Sequence, residues 1–162
     1  AGPSAGAGPE GRVTATAPIL DRPFASEEEL EELASGFEDG TLPKSRWTHR
    51  AHLAVGLLYC DRMPVPVAMA LLRERIRRYN VASGGENTST AGYHETITRF
   101  YLDIVRRFIA ENGDEGTLTE RANRLYQRYG DRGLPQRYYS EARLFSEEAR
   151  ARWIDPDLRP LG

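Results

Sequence analysis

The 162-residue sequence has one cysteine, no long apolar run and no excess of either charge. The single cysteine, Cys60, excludes an intramolecular disulfide framework. It lies in the apolar run at residues 55–60, so we interpret it as a small buried thiol rather than a nucleophile. A lone thiol is typical of a reducing compartment, and we predict a cytoplasmic protein. No apolar stretch approaches the ~18 residues that cross a membrane, so no membrane partner is predicted.

The charge balance argues against a nucleic-acid partner. Lysine and arginine number 22 and aspartate and glutamate 24, for a net charge of −2. The cluster of Arg73, Arg75, Arg77 and Arg78 is accompanied by nearby carboxylates and is typical of a solvated helix face. The sequence also lacks a Gly-rich phosphate loop, paired CxxC motifs and a Gly-x-Ser-x-Gly elbow. We therefore expect the partner to be a small-molecule substrate or ligand.

Helical periodicity and helix-capping signals dominate the chain from Ser26 onward. Ser26 with Glu29, and Thr117 with Glu120, form capping boxes. No segment shows the alternation of a half-buried strand. We predict an all-α fold, a single compact bundle of about five main helices with short C-terminal helical pieces, spanning residues 25–162. Residues 1–24 are rich in Ala, Gly and Pro and are predicted to be a flexible tail.

Two of the predicted helices and the loop between them matter for function. The second helix begins at the N-cap Thr48, ends near Arg62 and is apolar on nearly every side, which predicts a position at the centre of the bundle. Residues 80–92 form a polar, glycine-rich loop that is long by the usual standard, and long loops are often functional. The fourth helix begins near Tyr93, with His94 in its first turn.

The three histidines are predicted to share one buried polar site. His49 and His52 are three residues apart and project from one helix face, and His94 lies on the inner stripe of another helix. Three neutral imidazoles can hold a divalent transition metal with an open coordination position; zinc or iron is favoured, and copper is also considered. His94 and Glu95 are the candidate catalytic residues, with Glu95 as general base or as an outer hydrogen-bond partner. Two alternatives are metal-free histidines that bind a ligand or transfer protons, and imidazoles that only satisfy the core.

Candidate substrate-binding residues lie on the loop, beside it, or on segments that could close over the site. The hydroxyls and amides of the loop could equally serve as turn and cap groups, with Thr90 as an N-cap. The tyrosines could simply pack with satisfied hydroxyls, and Arg99 could pair with Glu95 on the helix surface. The candidates are Trp47, Tyr79, Asn80, Asn87, Thr88, Tyr93, Arg99 and Tyr139.

Several strings resemble an uncharacterised family of small bacterial proteins. They are WTHRAHL, RYN followed by a short polar loop, GYHETITRFY, and YYS-x-x-RLFS-x-x-AR-x-x-W-x-x-PDL. The similarity spans roughly residues 27 to 161 and leaves the N-terminal tail outside. No activity comes with it. It implies that the WTHxAHL and GYHET motifs are hallmarks of the family, which favours a site over three incidental core histidines.

These patterns predict a small metal-dependent enzyme that acts on a polar or anionic small molecule through His49, His52 and His94. Zinc would favour hydrolysis or a lyase or isomerase step, whereas iron or copper would favour oxygenation. The alternative is a non-catalytic small-molecule binding protein that uses the same histidines and the loop at residues 80–92. A purely structural or interaction module is a third hypothesis, disfavoured by the polar loop that leads directly to His94.

Overall fold

The computed structural model describes residues 22–162, and within that range it is helical with no strand. This confirms the predicted all-α fold of five main helices and short C-terminal pieces. Most of the predicted tail, residues 1–21, lies outside the described residues. The helices are α1 (Glu27–Asp39), α2 (His49–Arg62), α3 (Val65–Ala82), α4 (Glu95–Asn112), α5 (Leu118–Tyr129), α6 (Glu141–Leu144) and α7 (Glu147–Ala151), with 3-10 turns at Lys44–Arg46 and Pro135–Arg137.

Short polar side chains start three of the main helices at the positions that the sequence predicts. The hydroxyl of Ser26 accepts the amide N–H of Glu29, and Thr48 and Thr117 begin α2 and α5 in the same way. Each hydroxyl satisfies an amide that has no partner within its own helix. These helix starts therefore follow from local chemistry alone.

The two helix boundaries beside the long loop differ from the prediction. Helix α3 continues past Asn80 to Ala82, and α4 begins at Glu95 rather than near Tyr93. The N-cap of α4 is His94 itself, whose Nδ1 accepts the amide N–H of Ile97 at 3.1 Å. Thr90 does not take this role, and its own amide N–H bonds to the hydroxyl of Thr88.

Helix α2 is the centre of the bundle, as its apolar sequence predicts. It packs against α1, α3, α4 and α5, and Leu57 and Leu58 are fully buried. A second apolar cluster joins α4 to the C-terminal segment through Phe100, Leu134 and Leu144, among others. This cluster holds the C-terminal segment against the first turns of α4. None of the helices within residues 22–162 is long and apolar enough to cross a membrane.

Candidate functional site

All three histidines line a single cavity of about 570 Å³. His49 and His52 come from the first turn of α2, and His94 from the residue that caps α4. The third helix and the C-terminal segment complete the enclosure. Two helix starts and one helix cap thus bring together side chains that are 45 residues apart in the sequence, from His49 to His94.

The walls of the cavity are mostly apolar. Gly56 keeps the wall thin where α2 meets α4, because a Cβ there would already lie 3.6 Å from Val105. Trp47 stacks on Phe37 with ring centroids 4.4 Å apart, which fixes it as a rigid part of the wall. The apolar lining residues include Leu53, Val55, Leu72, Ile76, Ile97, Leu102, Val105, Pro135, Leu144 and Phe145.

The rings of His49 and His52 are neighbours with centroids 6.4 Å apart and planes nearly perpendicular. His52 lies edge-on to Trp47 at 4.3 Å, and His49 packs in the same manner against Tyr101 at 5.1 Å. The Nε2 atom of His49 is buried, and no hydrogen-bond partner for it exists among residues 22–162. An unsatisfied buried nitrogen at the edge of a cavity is a group that a ligand can satisfy.

Both members of this pair are neutral at physiological pH. Burial lowers the pKa of His52 to about 4, and the charges of His49 and Arg132 act in the same direction. The surface of His52 is exposed, but it is exposed to the cavity, where protein surrounds the ring and replaces bulk water. Burial and Arg132 also lower the pKa of His49, against an opposing effect of Asp131. Each ring therefore offers one N–H donor and one nitrogen acceptor.

His94 differs from the other two because both of its ring nitrogens are engaged. Its Nδ1 accepts the amide N–H of Ile97, and its Nε2 lies 2.7 Å from the carbonyl oxygen of Leu144. A carbonyl can only accept, so the ring is the neutral tautomer with its hydrogen on Nε2. While these two bonds hold, neither nitrogen of His94 is available to a metal ion or a ligand.

The cavity therefore presents two available imidazoles rather than the three that the sequence predicts. Within the described part of the chain, no group of three or more His, Cys, Asp or Glu side chains is arranged to hold a metal ion. Protein zinc sites ordinarily use three or four such ligands. A metal bound by His49 and His52 would need water, a substrate atom or a displaced His94 to complete its shell.

Glu95, the predicted base, is not among the residues that line the histidine cavity. It borders a second cleft with Arg73, Tyr93 and Trp153. Both carboxylate oxygens accept from the guanidinium of Arg73, and the hydroxyl of Tyr93 donates to one of them at 2.8 Å. Burial raises the pKa of Glu95, but the hydrogen bonds from Arg73 and Tyr93 outweigh it and leave the pKa below its usual range. The side chain is separated from His94 by the angle between successive positions of a helix.

Three of the predicted substrate-binding residues, Trp47, Asn80 and Tyr93, line the cavity. Asn87 and Thr88 border the second cleft instead. The side-chain oxygen of Asn87 accepts from the Asn80 amide at 3.0 Å and from the backbone N–H of Tyr93 at 3.1 Å. Asn87 thus organises the loop, and its amide group has no capacity left for a substrate.

The remaining predicted residues have partners within the fold and do not line the cavity. The hydroxyl of Tyr79 donates to the carbonyl of Leu42 at 2.8 Å, and that of Tyr139 to the carbonyl of Ile154 at 2.7 Å. The guanidinium of Arg99 lies 4.7 Å above the ring of Trp153. These contacts give each of the three side chains a structural explanation.

The sequence interpretation missed three polar residues of the cavity, Lys44, Tyr101 and Arg132. Tyr101 belongs to the inner stripe of α4, so its place on that stripe could have identified it. Lys44 lies in a 3-10 turn and Arg132 in the turn after α5, where no periodicity predicts which way a side chain points. Both cations are exposed, and neither has a carboxylate within salt-bridge distance in the described residues.

The polar groups of the cavity are thus neutral or cationic, and aspartate and glutamate are missing from the residues 22–162 that line it. The resemblance carried by WTHRAHL and GYHET stays a prediction, and the cavity itself supplies the evidence on function. Comparisons of the chain with protein-family models, with curated proteins and with solved structures give no match.

Proposed function

We propose that this protein binds a small organic molecule in the histidine cavity, with His49 and His52 as its central polar contacts. The observation that carries the proposal is a single cavity of about 570 Å³ that has apolar walls and two neutral imidazoles without hydrogen-bond partners in the described chain. Small-molecule sites are typically concave, ~300–1,000 Å³ in volume, mostly apolar and supplied with a few convergent polar groups. This cavity has each of those properties.

The protonation state of the histidines favours binding over acid–base catalysis. A general base works best when its pKa lies near the working pH, whereas the pKa of His52 is about 4. A neutral imidazole can still donate one hydrogen bond and accept another, which suits a hydroxyl, carbonyl or amine on a ligand. The aromatic rings of Trp47 and Tyr101 lie beside the two imidazoles and offer flat surfaces to the same ligand.

N-Phenyl-1-naphthylamine, an uncharged aromatic probe whose fluorescence rises in apolar surroundings, tests this proposal. Titration into the full chain is expected to saturate at one probe per protein. Ile76→Trp should fill the cavity from α3 and weaken binding at least about tenfold. The matched control is Val81→Trp on the same helix, where the native side chain is 63% exposed and lies away from the cavity.

Circular dichroism and the urea midpoint establish that each variant is folded before its affinity is measured. If Ile76→Trp does not fold, His52→Trp places the same bulk where the native side chain already has open space in front of it. Binding that does not saturate, or that both cavity-filling variants leave unchanged, would contradict the proposal.

A second candidate function is the metal-dependent enzyme that the sequence predicts. It is favoured by the buried Nε2 of His49, which lacks a partner among the described residues, and by the neutral state of both imidazoles, since metal binding requires deprotonated nitrogens. Zinc held there would polarise a substrate oxygen or activate water, and iron or copper would support oxygen chemistry. In this case His94 would either remain bonded to Leu144 or turn to become the third ligand.

Metal analysis of protein purified without a histidine tag distinguishes this candidate from the first. About one equivalent of zinc, iron or copper is expected, and His49→Ala should abolish its binding. His94→Asn retains a helix N-cap and so reports on the third ligand without removing the cap. A metal-free protein whose melting temperature is unchanged by zinc, ferrous iron, manganese and copper would eliminate the candidate.

A further inference from the structure

The electrostatic character of the histidine cavity is one-sided. Lys44 and Arg132 are the cations among its lining residues within the described chain, and no carboxylate is found there to balance them. The nearest acidic influence is Asp131, and its carboxylate is already occupied. It accepts from Arg137 at 2.8 Å and from the backbone N–H of Gly133 at 2.9 Å. The remaining polar lining groups, among them Asn80 and Gln136, carry no charge.

The absence of ion-pair partners for these two cations contrasts with other arginines of the protein. Arg73 is paired with Glu95, Arg75 with Glu38, and Arg121 with Asp61 at 2.9 Å. Lys44 and Arg132 have no such carboxylate within residues 22–162, although both side chains reach the cavity. A pair of uncompensated cations above low-dielectric walls produces a focused positive potential.

The effect of Arg132 reaches the floor of the site. Its charge disfavours protonation of both His49 and His52, which places it within electrostatic range of the two imidazoles. An anionic group near Arg132 would therefore lie close to the same imidazoles, and their N–H groups could donate to it. Two cations are enough for one anionic group. They are too few for a triphosphate, which would also have little use for the extensive apolar walls.

We propose that the ligand of this cavity is an organic anion, with its anionic group bound by Lys44 and Arg132 and its aromatic or aliphatic body against the walls formed by α2, α3 and α4. This inference rests on the proposed function, because it assigns a ligand class to the same cavity. It adds a specificity role for two residues outside the histidine motifs.

A matched pair of probes tests the charge requirement. 8-Anilinonaphthalene-1-sulfonate carries the same ring system as N-phenyl-1-naphthylamine and differs by one sulfonate. The wild-type chain should bind the sulfonate more tightly. Arg132→Gln and Lys44→Gln should each weaken sulfonate binding by about three- to tenfold, the range for a partly solvated charged contact, and leave binding of the neutral probe unchanged. Added sodium chloride should weaken only the sulfonate.

Arg46→Gln is the control, because Arg46 lies on the same 3-10 turn as Lys44, is exposed, and does not line the cavity. Ile76→Trp should weaken both probes, which would place the sulfonate in the cavity rather than on the surface. Equal affinities for the two probes, or an equal loss of sulfonate binding in Arg46→Gln, would overturn the inference and leave the proposed function standing. Failure of both probes to bind would overturn both.

Discussion

The Nε2 of His94 lies 2.7 Å from the carbonyl oxygen of Leu144, which is 50 residues further along the chain. The same ring accepts the N–H of Ile97 through Nδ1 and so caps α4. One imidazole thus fixes the start of a main helix and holds the C-terminal segment over it. His94 shapes the cavity by joining two of its walls, and this leaves His49 and His52 as the groups that can contact a ligand.

Substitution of His94 is expected to reduce stability in two steps. His94→Asn can keep the cap but loses the bond to Leu144, at a cost of about 0.5–1.5 kcal/mol. His94→Ala loses both and should cost about 1–3 kcal/mol. Thr117→Ala, which removes a helix N-cap alone, is the matched control at about 1 kcal/mol. Equilibrium urea unfolding measures all three. Equal losses for the two His94 variants would show that the cap contributes nothing.

The loop before His94 depends on a glycine with a left-handed backbone. Gly92 has φ of 83°, and a Cβ there would lie 2.0 Å from the carbonyl oxygen of Glu86. Gly84 has φ of 92°, but a Cβ there would meet nothing within 4 Å. Gly92→Ala should therefore cost more than about 3 kcal/mol, and Gly84→Ala about 1 kcal/mol. Urea midpoints that fall by the same amount would mean that the close approach at Gly92 relaxes freely.

Acid should destabilise the protein partly through His52. Its pKa is about 4 in the folded chain against an ordinary value of 6.5, so the unfolded state binds the proton more readily. The contribution of the neutral ring is complete above pH 6.5, decreases as the pH falls towards 4, and changes no further below that. Solvent in the cavity screens the charge, so we expect a loss of about 1–2 kcal/mol.

The measurement is the free energy of unfolding between pH 4 and 7 for the wild type and for His52→Gln. His49 and His94 have lowered pKa values as well, so the wild-type curve alone does not isolate His52. The variant should show a shallower dependence on pH over this interval. Parallel curves would show that the folded and unfolded chains protonate His52 equally.

Glu95 should act on stability and not on ligand binding. Glu95→Gln removes the negative charge that pairs with Arg73 and should cost about 1–3 kcal/mol, because the carboxylate is nearly buried. Glu74→Gln, which breaks an exposed pair with Arg78, should cost less than about 0.5 kcal/mol. Affinity for N-phenyl-1-naphthylamine should be unchanged in both. A large loss of affinity in Glu95→Gln at unchanged stability would place Glu95 at the ligand.

The parts of the structure that could be predicted from the sequence are those decided within a few residues of chain. Ser26, Thr48 and Thr117 cap their helices because a hydroxyl can reach the amide three residues ahead. The all-round apolar character of α2 likewise predicts its central position, since each of its faces needs a neighbour.

The roles of His94 and Glu95 were beyond such local patterns. The bond from His94 to Leu144 and the pair between Glu95 and Arg73 join residues 50 and 22 positions apart. Those contacts depend on how the helices pack, and the sequence around either residue carries no sign of them. Lys44 and Arg132 are equally hidden, because the direction of a side chain in a turn is set by the backbone on both sides.

The enclosure of α2 by four other helices has a kinetic consequence. A helix held on four sides cannot shift without disturbing all of its neighbours, so the two imidazoles on its first turn keep their places whether or not the cavity is filled. A site that is formed in advance spares the ligand the entropy of ordering it. Association should then proceed in a single phase whose rate rises linearly with ligand concentration, without a slower step for rearrangement of the protein.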